Sequence, residues 1–134
     1  ARTFGNACPL FVPLVENGFI QPDNEITAKV AEIYLKPMID ERVDTLILGC
    51  THYPLIYDII DRALGSRVTL IDAGKQVARW AQGYLAREDL LAGPGGGGTE
   101  FYVSDSPDGF SEIAGLFLGG DVKGDVTQID LDTL

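Results

Sequence analysis

Past residue 22 the chain alternates between two apolar rhythms. Ile26, Val30, Ile33, Tyr34 and Met38 recur every three or four positions, which predicts a helix from a cap at Asp23 or Asn24 to about Glu41. Pro37 lies inside that pattern and is expected to kink it. Residues 43–48 then form an apolar run of strand length. Residues 53–64 return to helical spacing, with Pro54 suited to the first turn and Gly65 to the end. A second short run at 68–71 ends at Asp72, and residues 74–87 read as a helix with Val77, Trp80, Ala81, Tyr84 and Leu85 on one face. After a break at 93–98 the pattern gives a strand at 100–104, a helix at 108–118 and a last strand at 126–131. The first 22 residues are irregular, with room for one or two helical turns at 9–16.

Strands alternating with helices predict an α/β fold, a mostly parallel sheet flanked by helices and joined by right-handed crossovers. The runs at 46–48 and 68–71 are apolar at successive positions, so they are expected to be adjacent central strands buried on both faces. A length of 134 residues suits one domain's worth of core. The hexamer Gly93-Pro94-Gly95-Gly96-Gly97-Gly98 lacks the Lys-Ser/Thr of a phosphate loop, and no strand leads into it. It reads as a flexible linker between residues 1–92 and a strand–helix–strand segment at 99–134.

Charge narrows the possible partners. A formal net charge of −10 argues against nucleic acid or an anionic membrane, since phosphates need clustered Lys and Arg. No apolar run approaches the ~20 residues of a membrane span. No signal-peptide pattern is present, although the chain begins at Ala1 rather than Met. The expectation is a cytoplasmic protein with free thiols.

The scarce chemistry gathers after the first strand. Leu48-Gly49-Cys50-Thr51-His52-Tyr53-Pro54-Leu55 holds the sole histidine and one of two cysteines at a strand's carboxyl end, where open α/β sheets bind ligands. A thiol and an imidazole one residue apart suggest proton transfer or thiolate chemistry. A following helix N-terminus or a nearby cation is expected to activate the thiol. Cys8 reads as structural; Asp72, on the same sheet edge, is a candidate to line the cleft but reads better as the cap of the helix from Gly74. Cys50, His52 and Cys8 lack a fourth ligand and a good spacing, so no metal site is expected.

The octet at 48–55 resembles the second cysteine motif of the cofactor-independent aspartate/glutamate racemase superfamily. Ala7-Cys8-Pro9-Leu10-Phe11-Val12-Pro13-Leu14-Val15-Glu16 resembles the segment that marks the glutamate racemases within it. Tyr34-Leu35-Lys36-Pro37 and Phe101-Tyr102-Val103-Ser104-Asp105 match as well. The matches run in order along nearly the whole chain, against about the second half of the family's length.

The resemblance implies a two-lobed α/β fold with glutamate between the lobes. One cysteine of each lobe works on one face of the α-carbon, without pyridoxal phosphate, metal or nucleotide. It implies Cys50 as the second-lobe catalytic cysteine and Thr51 as a substrate-carboxylate contact. His52 and Glu16 are implied as catalytic-side groups. The Cys-Asn-Thr motif of the first lobe is absent, so the chain carries half a site. It implies the missing N-terminal lobe as partner of residues 99–134, a possible homo-oligomer, and D-glutamate supplied for peptidoglycan. Two alternatives stay open: a Cys–His hydrolase or transferase with a covalent intermediate, and a non-catalytic binding fragment.

Overall fold

The computed structural model describes residues 1–95, 97–122 and 124–133, apart from the side chain of Thr133. Gly96 of the glycine run, and Lys123 and Leu134 of the last segment, lie outside the described residues. The chain divides into two compact units between Leu90 and Leu91.

In the first unit, α1 (Phe11–Glu16) is followed by α2 (Glu25–Asp40), β1 (Thr45–Leu48), a 3₁₀ turn at Tyr53–Ile56, α3 (Tyr57–Ala63), β2 (Thr69–Asp72) and α4 (Ala73–Arg87). β1 and β2 are parallel and in register, Thr45 opposite Thr69 and Leu48 opposite Asp72. Asn24 begins α2 by accepting a hydrogen bond from the Thr27 amide at 3.0 Å. The helix continues through Pro37 without a break.

α2, α3, α1 and one face of the strand pair share a core of Phe11, Val15, Ala31, Leu35, Leu48 and Ile60 with their neighbours. The packed face of α2 is Thr27, Ala31, Leu35 and Met38, whereas Ile26 and Ile33 point outward at 56% and 62% exposure. The apolar spacing therefore misplaces part of this face. Small side chains at 27 and 31 let α3 approach closely, and the buried Thr27 hydroxyl is satisfied by donating to the Phe19 carbonyl at 2.7 Å.

The expectation of two-faced burial also fails. Leu48 is buried, but Ile47 is 66% exposed. The helices of the core cover one side of the pair, and the described residues of this unit leave the side carrying Ile47 open. α4 buries none of its residues, and Val77 and Trp80 on its apolar face stand exposed. Among the described residues the pair is a two-stranded sheet and not the centre of a wider one.

The second unit is a separate parallel pair, β3 (Glu100–Val103) with β4 (Asp125–Gln128), joined by α5 (Pro107–Leu118). The last strand is shorter than its pattern suggests, and residues Leu131–Thr133 form a 3₁₀ turn instead. Ser106 caps α5 by accepting from the Gly109 amide, and Gly119 ends it in the left-handed region at φ 70°. Phe110 of α5 meets Phe101 of β3 with ring centroids 5.3 Å apart.

Gly124, at φ 138°, leads into β4, and a Cβ there would collide with the Thr99 carbonyl oxygen. Gly124→Ala should therefore destabilise this unit by more than ~1 kcal/mol. Amide exchange measured residue by residue should speed up in β3 and β4 and stay unchanged in α2. Unaltered exchange in β3 and β4 would refute the clash.

Candidate active site

The carboxyl end of β1 turns sharply. Gly49, Cys50 and Thr51 leave the strand, and the Tyr53 amide donates back to the Cys50 carbonyl at 3.3 Å. Cys50 is half-buried and Thr51 exposed. The segment after His52 begins as a 3₁₀ turn, with α helix only from Tyr57 for seven residues. The helix N-terminus expected to activate Cys50 is thus short and displaced by a turn, and its dipole falls off within that distance.

Glu16 arrives from elsewhere in the sequence as the last residue of α1. Its Oε1 lies 3.0 Å from His52 Nε2. On the other side of the ring, His52 Nδ1 lies 3.3 Å from Thr51 Oγ1 and 3.8 Å from Cys50 Sγ. An ionised carboxylate only accepts, so Nε2 is the nitrogen that donates to Glu16. In the neutral imidazole Nδ1 is then an acceptor, turned toward the hydroxyl and the thiol. The structure brings Cys50, Thr51, His52 and Glu16 into one connected group.

Aromatic packing sets the distance between α1 and this turn. Phe11 sits edge-on to Tyr34 (centroids 5.4 Å, planes at 81°) and to Tyr53 (5.3 Å, 84°). The Tyr53 hydroxyl donates to the Cys8 carbonyl at 3.5 Å, and the Leu10 amide donates to the Tyr34 hydroxyl at 3.3 Å. Burial raises the Tyr53 phenol above its ordinary range, with the neighbouring Cys8, Cys50 and Tyr34 adding to the shift, so it stays a neutral donor. Sequence reasoning passed over Phe11 and Tyr53 as positioning residues. Their signal was present, since both lie inside the two motifs that carry the chemistry.

The remaining candidates take other places. Asp72 accepts from the Lys75 amide at 3.0 Å and caps α4. Both cysteines are free. Among the described residues no three His, Cys, Asp or Glu side chains gather as a metal site. Cys8 is buried in the core, and burial pushes its thiol up. Since the thiolate is the nucleophile, iodoacetamide at neutral pH should label Cys50 at least ~10-fold faster than Cys8 in the folded chain. Peptide mass mapping over time measures this, and equal rates in the folded chain would contradict it.

No family model matches the chain. Among curated proteins it is 43% identical over 127 residues to a glutamate racemase of Geobacter metallireducens, an alignment covering 94% of this chain and 46% of that protein. Among solved structures it superposes on a glutamate racemase from Francisella tularensis in complex with D-glutamate, with TM-score 0.84 and 34% identity over 98% of this chain and 48% of that one. A glutamate racemase from Thermus thermophilus in complex with β-chloro-D-alanine gives TM-score 0.80 at 37% identity, over 96% and 48%. The chain spans about half the length of the curated relatives it matches. Sequence and fold agree over nearly all of its residues: the chain belongs to the glutamate racemase family and corresponds to one half of its fold.

Proposed function

We propose that this chain forms one side of an active centre that interconverts L- and D-glutamate by moving the α-proton. The observation that carries this is the group at the end of β1, in which His52 bridges Glu16 at 3.0 Å and Cys50 at 3.8 Å. Cys50 as thiolate takes the α-proton from one face, and the electron pair left on the α-carbon takes a proton from a thiol on the opposite face. Cys50 ends as a thiol, the other group as a thiolate, and the reverse direction exchanges their roles. A thiol suits this work because its two protonation states are both accessible near neutral pH.

His52, held in one tautomer by Glu16, keeps an acceptor beside Cys50 for the proton the thiol must shed before acting as base. Thr51 supplies its hydroxyl to a substrate carboxylate. Glutamate is the substrate that the D-glutamate complex of the Francisella relative supports. The second cysteine belongs to a lobe that these residues do not contain, and residues 99–134 pack with that lobe. No cofactor is needed, and the product supplies D-glutamate for peptidoglycan in the cytoplasm. Among the described residues no helix is long and apolar enough to cross a membrane.

One observation favours a second chemistry. Glu16, His52 and Cys50 also form a carboxylate–imidazole–thiol series of the kind that activates a nucleophile. A complete protein joining this chain to the other half of the fold separates the two. In D₂O the racemase converts L-glutamate to both enantiomers with deuterium at the α-carbon and no adduct on Cys50. A thioester on Cys50 formed from an activated acyl donor, with no α-deuteration of glutamate, would overturn the proposal.

A further inference from the structure

α1 is a weak element in itself. It has six residues, where an isolated helix needs about 12–15, and Pro13 withholds one backbone donor from it. Its N-cap position is Leu10, whose side chain cannot accept a hydrogen bond, and no acidic residue stands in its first turn. The cap comes from another element. The Tyr34 hydroxyl, on α2 and 24 residues away in sequence, accepts from the Leu10 amide at 3.3 Å.

Tyr34 is itself tied down. Its carbonyl accepts from Asn6 Nδ2 at 2.8 Å, in the stretch that leads into α1. Its ring is edge-on to Phe11, one residue past the amide that its hydroxyl holds. One residue of α2 thus fixes both the approach to α1 and its first turn. The opposite end of α1 is Glu16, with Oε1 3.0 Å from His52 Nε2. Packing against Phe11 resists separation of α1 from α2 but only weakly resists rotation of α1 about its axis, whereas a hydrogen bond is directional. Side-chain tips lie about 5–6 Å from a helix axis, so a rotation of about 20° carries the Glu16 carboxylate about 2 Å. That shift exceeds the spread of a good hydrogen bond.

We infer that Tyr34 is a positioning residue of the site: its hydroxyl supplies the cap that α1 lacks and, through α1, holds the Glu16 carboxylate on His52 Nε2. It acts through the helix and not on the substrate. The result at the ring is a proton kept on Nε2, because the hydrogen bond made by one nitrogen sets the tautomer. The Glu16 side chain has rotamers that follow part of a helix movement, so loss of the hydroxyl shifts the tautomer balance and does not abolish the pair. The link from Tyr34 to His52 rests on geometry, and its bearing on catalysis rests on the proton-transfer role proposed above for His52.

His52 is the sole histidine, so in the chain labelled with ¹⁵N-histidine long-range ¹H–¹⁵N NMR reads its two ring nitrogens without ambiguity. In the neutral ring of the unaltered chain Nε2 should carry the proton. Tyr34→Phe keeps the ring against Phe11 and removes the hydroxyl, and should raise the share of the Nδ1–H tautomer by at least about threefold. Glu16→Ala should raise it as far or further, and adding Tyr34→Phe to Glu16→Ala should change nothing more, since both act through one carboxylate. Thr27→Val is the control for loss of stability alone: it removes another hydrogen bond of α2, to the Phe19 carbonyl, and should leave the ring as it was. An unchanged tautomer in Tyr34→Phe overturns the proposal, as does an equal change in Thr27→Val or a further change when Tyr34→Phe is added to Glu16→Ala. In the complete protein Tyr34→Phe should lower kcat for glutamate by no more than Glu16→Ala does, with KM held within about twofold. A shifted tautomer with kcat unchanged would count against the role given to His52 and leave Tyr34 as the residue that positions Glu16.

Discussion

In a complete protein that joins this chain to the other half of the fold, Cys50→Ser should lower racemisation of glutamate by about 10²–10⁴-fold in both directions. Serine keeps the shape of cysteine but offers a hydroxyl whose proton is far harder to remove. In the proposed two-base mechanism each full turnover needs a base on one face and an acid on the other, so losing either group would stop both directions. His52→Asn should cost less, because it removes the acceptor beside Cys50 at 3.8 Å and the link to Glu16 without removing the thiol. Glu16→Gln should cost less again, since the amide still accepts from Nε2. Steady-state rates from L- and from D-glutamate check the order. A loss in only one direction would be incompatible with a two-base proton transfer.

Phe11→Ala should destabilise the first unit by about 3–5 kcal/mol, the usual cost of emptying a buried aromatic site. Phe11 is 1% exposed and makes edge contacts to both Tyr34 and Tyr53. Its loss opens a cavity between α1, α2 and the turn after His52, where collapse is limited by two rings already in hydrogen bonds. Ile33→Ala is the matched control: it sits on the same predicted apolar pattern but is 62% exposed, and should change stability by no more than about 0.5 kcal/mol. Urea titration of the two variants measures the difference. Equal shifts of the midpoint would mean that the packed face of α2 and its contact with α1 are wrongly assigned.

The site was legible to the extent that its chemistry is local. Cys50, Thr51 and His52 are neighbours in a strand-to-turn segment, so any fold that forms β1 places them together. Glu16 is 36 residues from His52, and only family resemblance pointed to it, because no periodicity encodes a contact between α1 and the far end of β1. The helix assumed to begin at residue 53 opens as a 3₁₀ turn, which spacing alone cannot distinguish from α.

The burial errors have two causes. Ile47, Val77 and Trp80 carry the apolar character of covered surfaces yet stand open. Composition records the burial a segment is built for, while the element that covers it must come from elsewhere. For α2 the reason is different: two apolar stripes were available, and the close approach of α3 chose the one with Thr27 and Ala31 over the one with Ile26 and Ile33.

The most direct measurement uses the two enantiomers of β-chloroalanine, whose D form occupies the Thermus relative. Removal of the α-proton lets chloride leave, so elimination needs only one base and reports each face separately. In the complete protein both enantiomers should eliminate. In Cys50→Ser, elimination from the enantiomer that presents its α-hydrogen to position 50 should fall about 10²–10⁴-fold. Elimination from the other enantiomer should persist within about tenfold, since its base is untouched. Equal loss from both would show that Cys50 is not a base for one face, and the proton-transfer mechanism would have to be abandoned.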